Sequence, residues 1–428
     1  MPPARNFSGT YLRRSVDTEL DDLFSQLPAV LLDGPKGVGK TATALRRVRT
    51  VRRLDVPSER TVIQADPDLV ALDKPPVLID EWQRVPEVWD AVRRSVDEDS
   101  SGGRFLLTGS APTEGTHSGA GRIVRLRMRP FALHERKICR TTVSFAELMD
   151  GAQPTVRGRS PLALTDYVDE ILASGFPGLR GASSRAAASQ LDGYLDNIVD
   201  RDLPEAGFTV RRPATVQAWL RAYAAATSTA ASWEKIRDAS TSGQDQKPGR
   251  PTTDAYTELL TALRILDPVE AWLPTNNHLS RLTLGPKHHL ADPALAARLL
   301  GRTRAHLLTG DEGGIAVPRD GTLLGGLFES LAALSIRTLA QTAGATTHHL
   351  RTRGGEHEVD LILERNGAAL AMEVKLSGTV NDRDVRHLLW LRDALGADLV
   401  DAAVVTTGPE AYRRSDGIAV IPLGLLGP

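Results

Sequence analysis

The alternation of apolar and polar positions divides the chain into three stretches. Between residues 29 and 129 short apolar runs recur, as PAVLLDG, TVIQAD, PPVLIDE, RFLLTGS and RIVRLRM, with helical spacing at 40–53 and 86–96. Short buried strands alternating with helices predict a mostly parallel sheet covered on both faces. From about 161 to 302 the period turns helical, in LTDYVDEILASGF and AASQLDGYLDNIVDRDL and then in TVQAWLRAYAAA, ASWEKIRDAS and TTDAYTELLTALRIL. Two strand-like pieces follow, VEAWLP and RLTLGP, and three helices with a hairpin are the parts of a winged helix. The polar segment STSGQDQKPGRP separates the last two helices as a linker. From residue 321 a helix leads into two alternating runs, EVDLILE and AALAMEVK, joined at Asn366-Gly367. A helix and the strand DAAVVTTG close a second α/β unit.

Composition changes this picture little. An apolar fraction of 41% and a charged fraction of 25% over 428 residues are those of a globular chain of two or three domains. A formal net charge of −1 implies no global pull on nucleic acid, so such binding requires local patches. The single cysteine, Cys139, excludes an internal disulfide and any multi-cysteine zinc site. The first twenty residues lack a signal-peptide core, and no run is expected to cross a bilayer. The expectation is a cytoplasmic protein without a membrane partner.

Residues 34–41 read GPKGVGKT, a full match to the phosphate-loop pattern, after an apolar strand and before a helix. Gly34, Gly37 and Gly39 allow backbone N–H groups to turn toward one anion, with Pro35, Lys36, Val38 and Ala42 completing the cradle. Lys40 reaches the β- and γ-phosphates of ATP, and the Thr41 hydroxyl binds Mg²⁺. The strand PPVLIDE ends in Asp80-Glu81, at the carboxyl edge where such sheets hold ligands. There Asp80 holds the metal and Glu81 orients the attacking water as general base. RFLLTGS brings Thr108 and Ser110 to the same edge, with Ser110 the candidate for the γ-phosphate or the water. Arg125, Arg127 and Arg129 share a strand face that is either solvated or an interface with another subunit or nucleic acid. Arg122 is the candidate transition-state arginine.

The hairpin places charges where its pattern calls for burial. Glu373 and Lys375 share one strand face, and across the turn Asp360 approaches Glu373. Two carboxylates converging in a half-buried sheet require a cation. Oxygen ligands suit Mg²⁺ or Mn²⁺ as a second metal, with Glu329 from the preceding helix completing the set and Lys375 activating a metal-bound water. A solvated hairpin is the alternative. The adjacent pairs His288-His289 and His348-His349 are read as structural, since strand neighbours face opposite sides. The helix TTDAYTELLTALRIL has one basic residue, Arg264, and is expected to pack against protein.

In order along the chain, DGPKGVGKTATA, PPVLIDEWQRVPEVWDAVR, RFLLTGSAP, RIVRLRMRPFALHE, SGFPGLR, YLDNIVDRDLPE, PKHHLADPALAARLLG, FESLAALSI and EVDLILE–AMEVK resemble a prokaryotic family of AAA-type ATPases. Its members carry a C-terminal domain of unknown function with a restriction-endonuclease-like core. The resemblance implies an α/β chain: a P-loop parallel sheet over 1–150, a helical lid over 151–210, a winged-helix-like segment over 211–305 and a nuclease-like domain over 306–428. It implies Lys40 and Thr41 at the nucleotide and Asp80 and Glu81 at magnesium and water; the chain departs from it in showing no clear second arginine sensor, for which Arg201 in DRDLPE is the candidate. The resemblance also implies the nuclease signature in Glu329, Asp360, Glu373 and Lys375, with nucleic acid, DNA before RNA, and a further copy of the chain as partners. Two other classes remain open: an ATP-dependent switch that binds nucleic acid or protein without cutting, and a protein-remodelling ATPase.

Overall fold

The computed structural model describes residues 11–109, 121–241, 248–273, 285–312, 315–316, 319–352 and 354–428. Helix α1 (Ser15–Leu23) precedes β1 (Ala29–Asp33), whose five residues are all buried. The phosphate loop then leads to α2 (Lys40–Ala44). The helix expected over 40–53 stops there, and its tail becomes β2 (Thr50–Arg53). Two anchors hold that tail extended. Arg52 forms a fork of two bonds to Asp73, both 2.6 Å, and the Thr50 hydroxyl donates to the Lys74 carbonyl. The expected strand TVIQAD lies instead in α3 (Pro57–Ala65), where Pro57 opens the helix and Ile63 is its one buried residue. Alternation in six residues does not separate helix from strand; pairing with residues 77–80 holds β2 extended, and Pro57 opens α3.

After α4 (Leu69–Leu72) come β3 (Val77–Asp80), the amphipathic α5 (Glu87–Glu98), β4 (Phe105–Gly109) and β5 (Ile123–Arg127). The five strands are parallel in the order β2-β3-β4-β1-β5. β4 therefore lies between the strand that carries the phosphate loop and the strand that ends in Asp80.

Two short strands, β6 (Val143–Ser144) and β7 (Gly158–Arg159), flank α6 (Phe145–Met149). The middle of the chain is helical: α7 (Leu164–Ala173), then α8 (Ser184–Asn197) extended through a π turn, Ile198–Asp202, into α9 (Leu203–Glu205). α10 (Pro213–Ala225), α11 (Trp233–Ala239) and α12 (Arg250–Ala262) follow. Much of the second strand expected for a winged hairpin, 281–284 of RLTLGP, lies outside the described residues. Val269 of the first pairs with Lys287, Leu266 with Leu290, and Ala271 with His349. α13 (Pro293–Leu299), α14 (Arg304–Leu307) and the pair β8 (Asp311–Glu312) and β9 (Ile315–Ala316) lead on to α15 (Gly321–Thr342).

The remaining elements are β10 (Thr346–Arg351), β11 (Glu358–Arg365), β12 (Ala368–Lys375), α16 (Asp382–Leu395), β13 (Leu399–Thr406), β14 (Glu410–Arg413), β15 (Ala419–Pro422) and β16 (Leu426–Gly427). Seven strands form one sheet, β10-β11-β12-β13-β15-β14-β7, so residues 158–159 complete a sheet built mostly from the C-terminal part of the chain. β16 pairs with β6 in the same exchange.

One apolar cluster runs from Leu32, Leu78 and Leu106 on the first sheet, through Leu327 and Ile336 of α15, to Leu363, Met372 and Val405 on the second. α15 is the hinge pin of that shared core. By length and composition it qualifies as a bilayer span, against the expectation that no run does. Most of its apolar stretch (67%) is buried, and it packs on α1, α7, α13, β10 and β12.

Candidate functional site

The carboxyl ends of β1, β3 and β4 meet at one edge. Gly34 is required there by space, since a Cβ would stand 2.1 Å from the Met128 carbonyl oxygen. Gly37 and Gly39 take φ of +81° and +99°, values that side chains rarely adopt. Phe176 and Pro177 lie over these two glycines. Val38 is fully buried, which fixes the loop from beneath. Lys40 is buried too, and its Nζ donates to the carbonyls of Gly34 (2.7 Å) and Pro35 (2.9 Å). Desolvation pushes its ammonium down to about 8, against the opposing pull of Glu81 and Asp33.

Across the edge, Thr41 Oγ1 donates to Asp80 Oδ1 at 2.8 Å, and Thr108 Oγ1 donates to the same oxygen. Asp80 and Thr108 are register partners, so the second hydroxyl is placed by strand pairing. Thr108 is the edge residue that sequence reasoning passed over in favour of Ser110, which lies outside the described residues. Glu81 follows in a left-handed conformation, φ 56°, and accepts from Gln83 Nε2 at 2.6 Å. Burial raises its carboxyl, with Lys40 opposing. Gly109 admits this turn, because a Cβ there would meet Gln83 and Trp82 at under 3 Å. A hydroxyl and a carboxylate converging beside a lysine form a donor set that would fit a hard divalent cation next to a phosphate.

The arginines stand differently from the expectation. Arg122 sits at the start of β5, opposite the beginning of β1, and pairs with Asp97. That is the far edge of the sheet, about 16 Å along the strands from the phosphate loop. It therefore does not serve this chain's own site. Arg125 is exposed, whereas Arg127 and Arg129 are largely withdrawn from solvent. With Arg337 of α15 they surround Asp267, at 3.6, 2.9 and 3.0 Å. Burial, which would raise the Asp267 carboxyl, is outweighed by the three cations, which hold it well below the usual range. Arg201 is exposed, and its neighbours Asp202 and Glu205 turn to the loop instead, at 2.6 and 3.1 Å from Lys36 Nζ. Arg264, after α12, stands 2.6 Å from Asp33 at the end of β1, and Arg14 donates to the Val38 carbonyl of the loop at 3.0 Å. Within α12 itself, Tyr256 packs on Phe208 and Trp219.

At the second sheet the hairpin turns at Asn366-Gly367 with φ of 54° and 83°. Asp360 Oδ2 accepts from the Val374 N–H at 2.8 Å, and Lys375 Nζ stands 2.9 Å from Glu373 Oε2. Glu329, Asp360, Glu373 and Lys375 are thus brought into one neighbourhood. A fifth residue joins them that sequence reasoning missed. Lys287, 1% exposed at its side chain, places Nζ 2.8 Å from Asp360 Oδ1 and 2.9 Å from Glu329 Oε1. Burial would lower that ammonium, but Asp360 and Glu329 outweigh it and raise it. Burial and the Asp360 charge push the Glu373 carboxyl well up, and its Oε1 is buried without a partner. An ammonium therefore stands where the resemblance implied a metal ion. No local pattern marks Lys287, a lone charge in LTLGPKHHLA.

Family models match three parts of the chain. Residues 26–137 match an AAA domain, 164–306 a domain of unknown function (DUF8612), and 324–426 a domain of unknown function (DUF4143). With the parallel sheet and its phosphate loop, the first match makes the N-terminal part an AAA-type P-loop ATPase domain. The chain is 26% identical to the uncharacterized proteins Mb2031c of Mycobacterium bovis and Rv2008c of Mycobacterium tuberculosis, over 98% of its own length and 86% of theirs. Among solved structures it is similar to the Walker-type ATPase paby2304 of Pyrococcus abyssi, at 18% identity and a TM-score of 0.39 over 68% of this chain and 96% of that one. It is also similar to ORC2 of Aeropyrum pernix, at 15% identity and a TM-score of 0.29 over 70% and 95%.

Proposed function

We propose that the chain is a Mg²⁺-dependent ATP-hydrolysing switch whose nucleotide state is passed to the C-terminal sheet. One observation carries this reading: two hydroxyls, from Thr41 and Thr108, converge on one oxygen of Asp80 beside a phosphate loop whose lysine donates to the Gly34 and Pro35 carbonyls. The N–H groups of residues 36–41 bind phosphate oxygens, and Lys40 leaves the Gly34 and Pro35 carbonyls for the β- and γ-phosphates. Thr41 and Asp80 would hold magnesium, which would supply positive charge to offset the negative charge developing on the phosphates. Glu81 accepts the proton of the attacking water, and burial raises it toward the operating pH, where a general base works best. Lys40→Ala abolishes nucleotide binding, measured by equilibrium titration with a fluorescent ATP analogue. Glu81→Gln leaves ATP bound and slows phosphate release by about 10²–10⁴-fold. Normal turnover in Glu81→Gln removes the role given to that carboxylate.

The C-terminal unit has two readings. In one it is nuclease-like and acts on nucleic acid, DNA before RNA, through Asp360, Glu373 and Lys375. In the other it binds nucleic acid or protein without cutting. The Lys287 ammonium between Glu329 and Asp360 favours the second. Labelled DNA incubated with the chain and Mg²⁺ or Mn²⁺ separates them. Cleavage lost in Asp360→Ala and Glu373→Ala supports the first, and binding without cleavage supports the second.

A further inference from the structure

The carboxylate cluster of the second sheet is built to hold a cation, and the chain supplies one. Lys287 belongs to none of the elements that carry the carboxylates. It lies on the segment paired with 266–269, where its backbone N–H and carbonyl exchange bonds with Val269, both 2.9 Å. From there its side chain enters between α15 and β11. An ammonium has three donors. Two are used by Glu329 and Asp360, and Glu358 Oε1 stands 3.6 Å away on the third side. The other oxygen of Asp360 is taken by the Val374 N–H, and Lys375 donates to Oε2 of Glu373, whose Oε1 is buried without a partner.

A divalent cation needs the same oxygens, at about 2.0–2.6 Å. It would then share them with the ammonium at near-contact distance, where the Lys287 side chain is 1% exposed. The two cations exclude each other.

We propose that Lys287 is a tethered counter-ion that takes the place of a divalent cation among Glu329, Asp360 and Glu373. The cluster as folded binds no metal ion, cuts no phosphodiester, and fastens the middle segment to the C-terminal sheet. A site that matches a nuclease signature residue for residue is thereby converted into a latch. The inference requires neither ATP turnover nor a nucleic-acid partner, so it stands or falls apart from the proposed function.

Manganese bound per chain, counted by electron paramagnetic resonance on the nucleotide-free full-length protein, tests it. The native chain and Asp360→Asn hold the same number of ions. Lys287→Met gains one, and Lys287→Met with Asp360→Asn loses it again. A native chain that holds one more ion than Asp360→Asn overturns the proposal, as does a folded Lys287→Met chain that gains none. Should Lys287→Met fail to fold, native crystals soaked in Mn²⁺ decide the matter. Lys287 density between Glu329 and Asp360 sustains the proposal, and an anomalous peak there overturns it.

Discussion

Lys40 shows how a single side chain can be held ready for a ligand. Its ammonium is buried against two carbonyls, and desolvation brings it down to about 8, within reach of ordinary buffers. Phosphate binding requires the charged form. Above about pH 8 the free chain loses that proton, and a bound triphosphate would restore it. The dissociation constant for Mg–ATP should therefore rise as pH increases from 8 to 10, by up to about tenfold per unit. Titration calorimetry across that range checks it, and a flat profile contradicts it. At this scale much of the site was legible. Gly34, Lys40 and Thr41 follow from a short motif whose chemistry is local, and Asp80 from the acidic end of an apolar strand. Lys287 was not legible, because burial of a lysine is decided by carboxylates 42 and 73 residues away.

At the scale of elements, Asp267 is the knot. It receives Arg127 of β5, Arg129 just beyond that strand, and Arg337 of α15, with its own side chain 12% exposed. Removing the anion strands three cations together. Asp267→Asn should cost about 3–5 kcal/mol at pH 7, measured by urea unfolding. The folded carboxyl is held below its unfolded value, so its stabilising effect is complete above about pH 4 and is lost as pH falls further. The deficit of Asp267→Asn should narrow below pH 4, and a deficit that stays constant down to pH 2.5 contradicts this account. The alternation that makes β5 a strand was readable, whereas the use of its arginines was not. A pattern reports which positions share a face but says nothing of what packs on that face. The same gap explains why β2 and α3 exchanged places: pairing with β3 and the Arg52–Asp73 fork override a helical spacing.

Across the whole molecule, one strip of chain joins the two sites. Arg264 touches Asp33 at the phosphate loop, Asp267 binds the arginine cluster, and Val269 pairs with Lys287 at the second sheet. Nucleotide bound at the loop should change amide exchange at Val269 and Lys287, and Arg264→Ala should abolish that change while leaving Mg–ATP bound. Hydrogen exchange with mass spectrometry reads both. An equal response in the two proteins would show that the strip carries nothing. The order of motifs along the chain revealed two α/β units. It did not reveal that they share a core through α15, or that residues 158–159 complete the second sheet, since neither depends on local pattern.

The account rests on a triphosphate held at the carboxyl edge of β1, β3 and β4. A crystal structure with Mg²⁺ and a nonhydrolysable ATP analogue tests this most directly. The phosphates should lie on the N–H groups of residues 36–41, with Lys40 Nζ moved off the Gly34 and Pro35 carbonyls and Thr41 and Asp80 at the metal. An empty loop, with Lys40 still bound to those two carbonyls at saturating analogue, would contradict it.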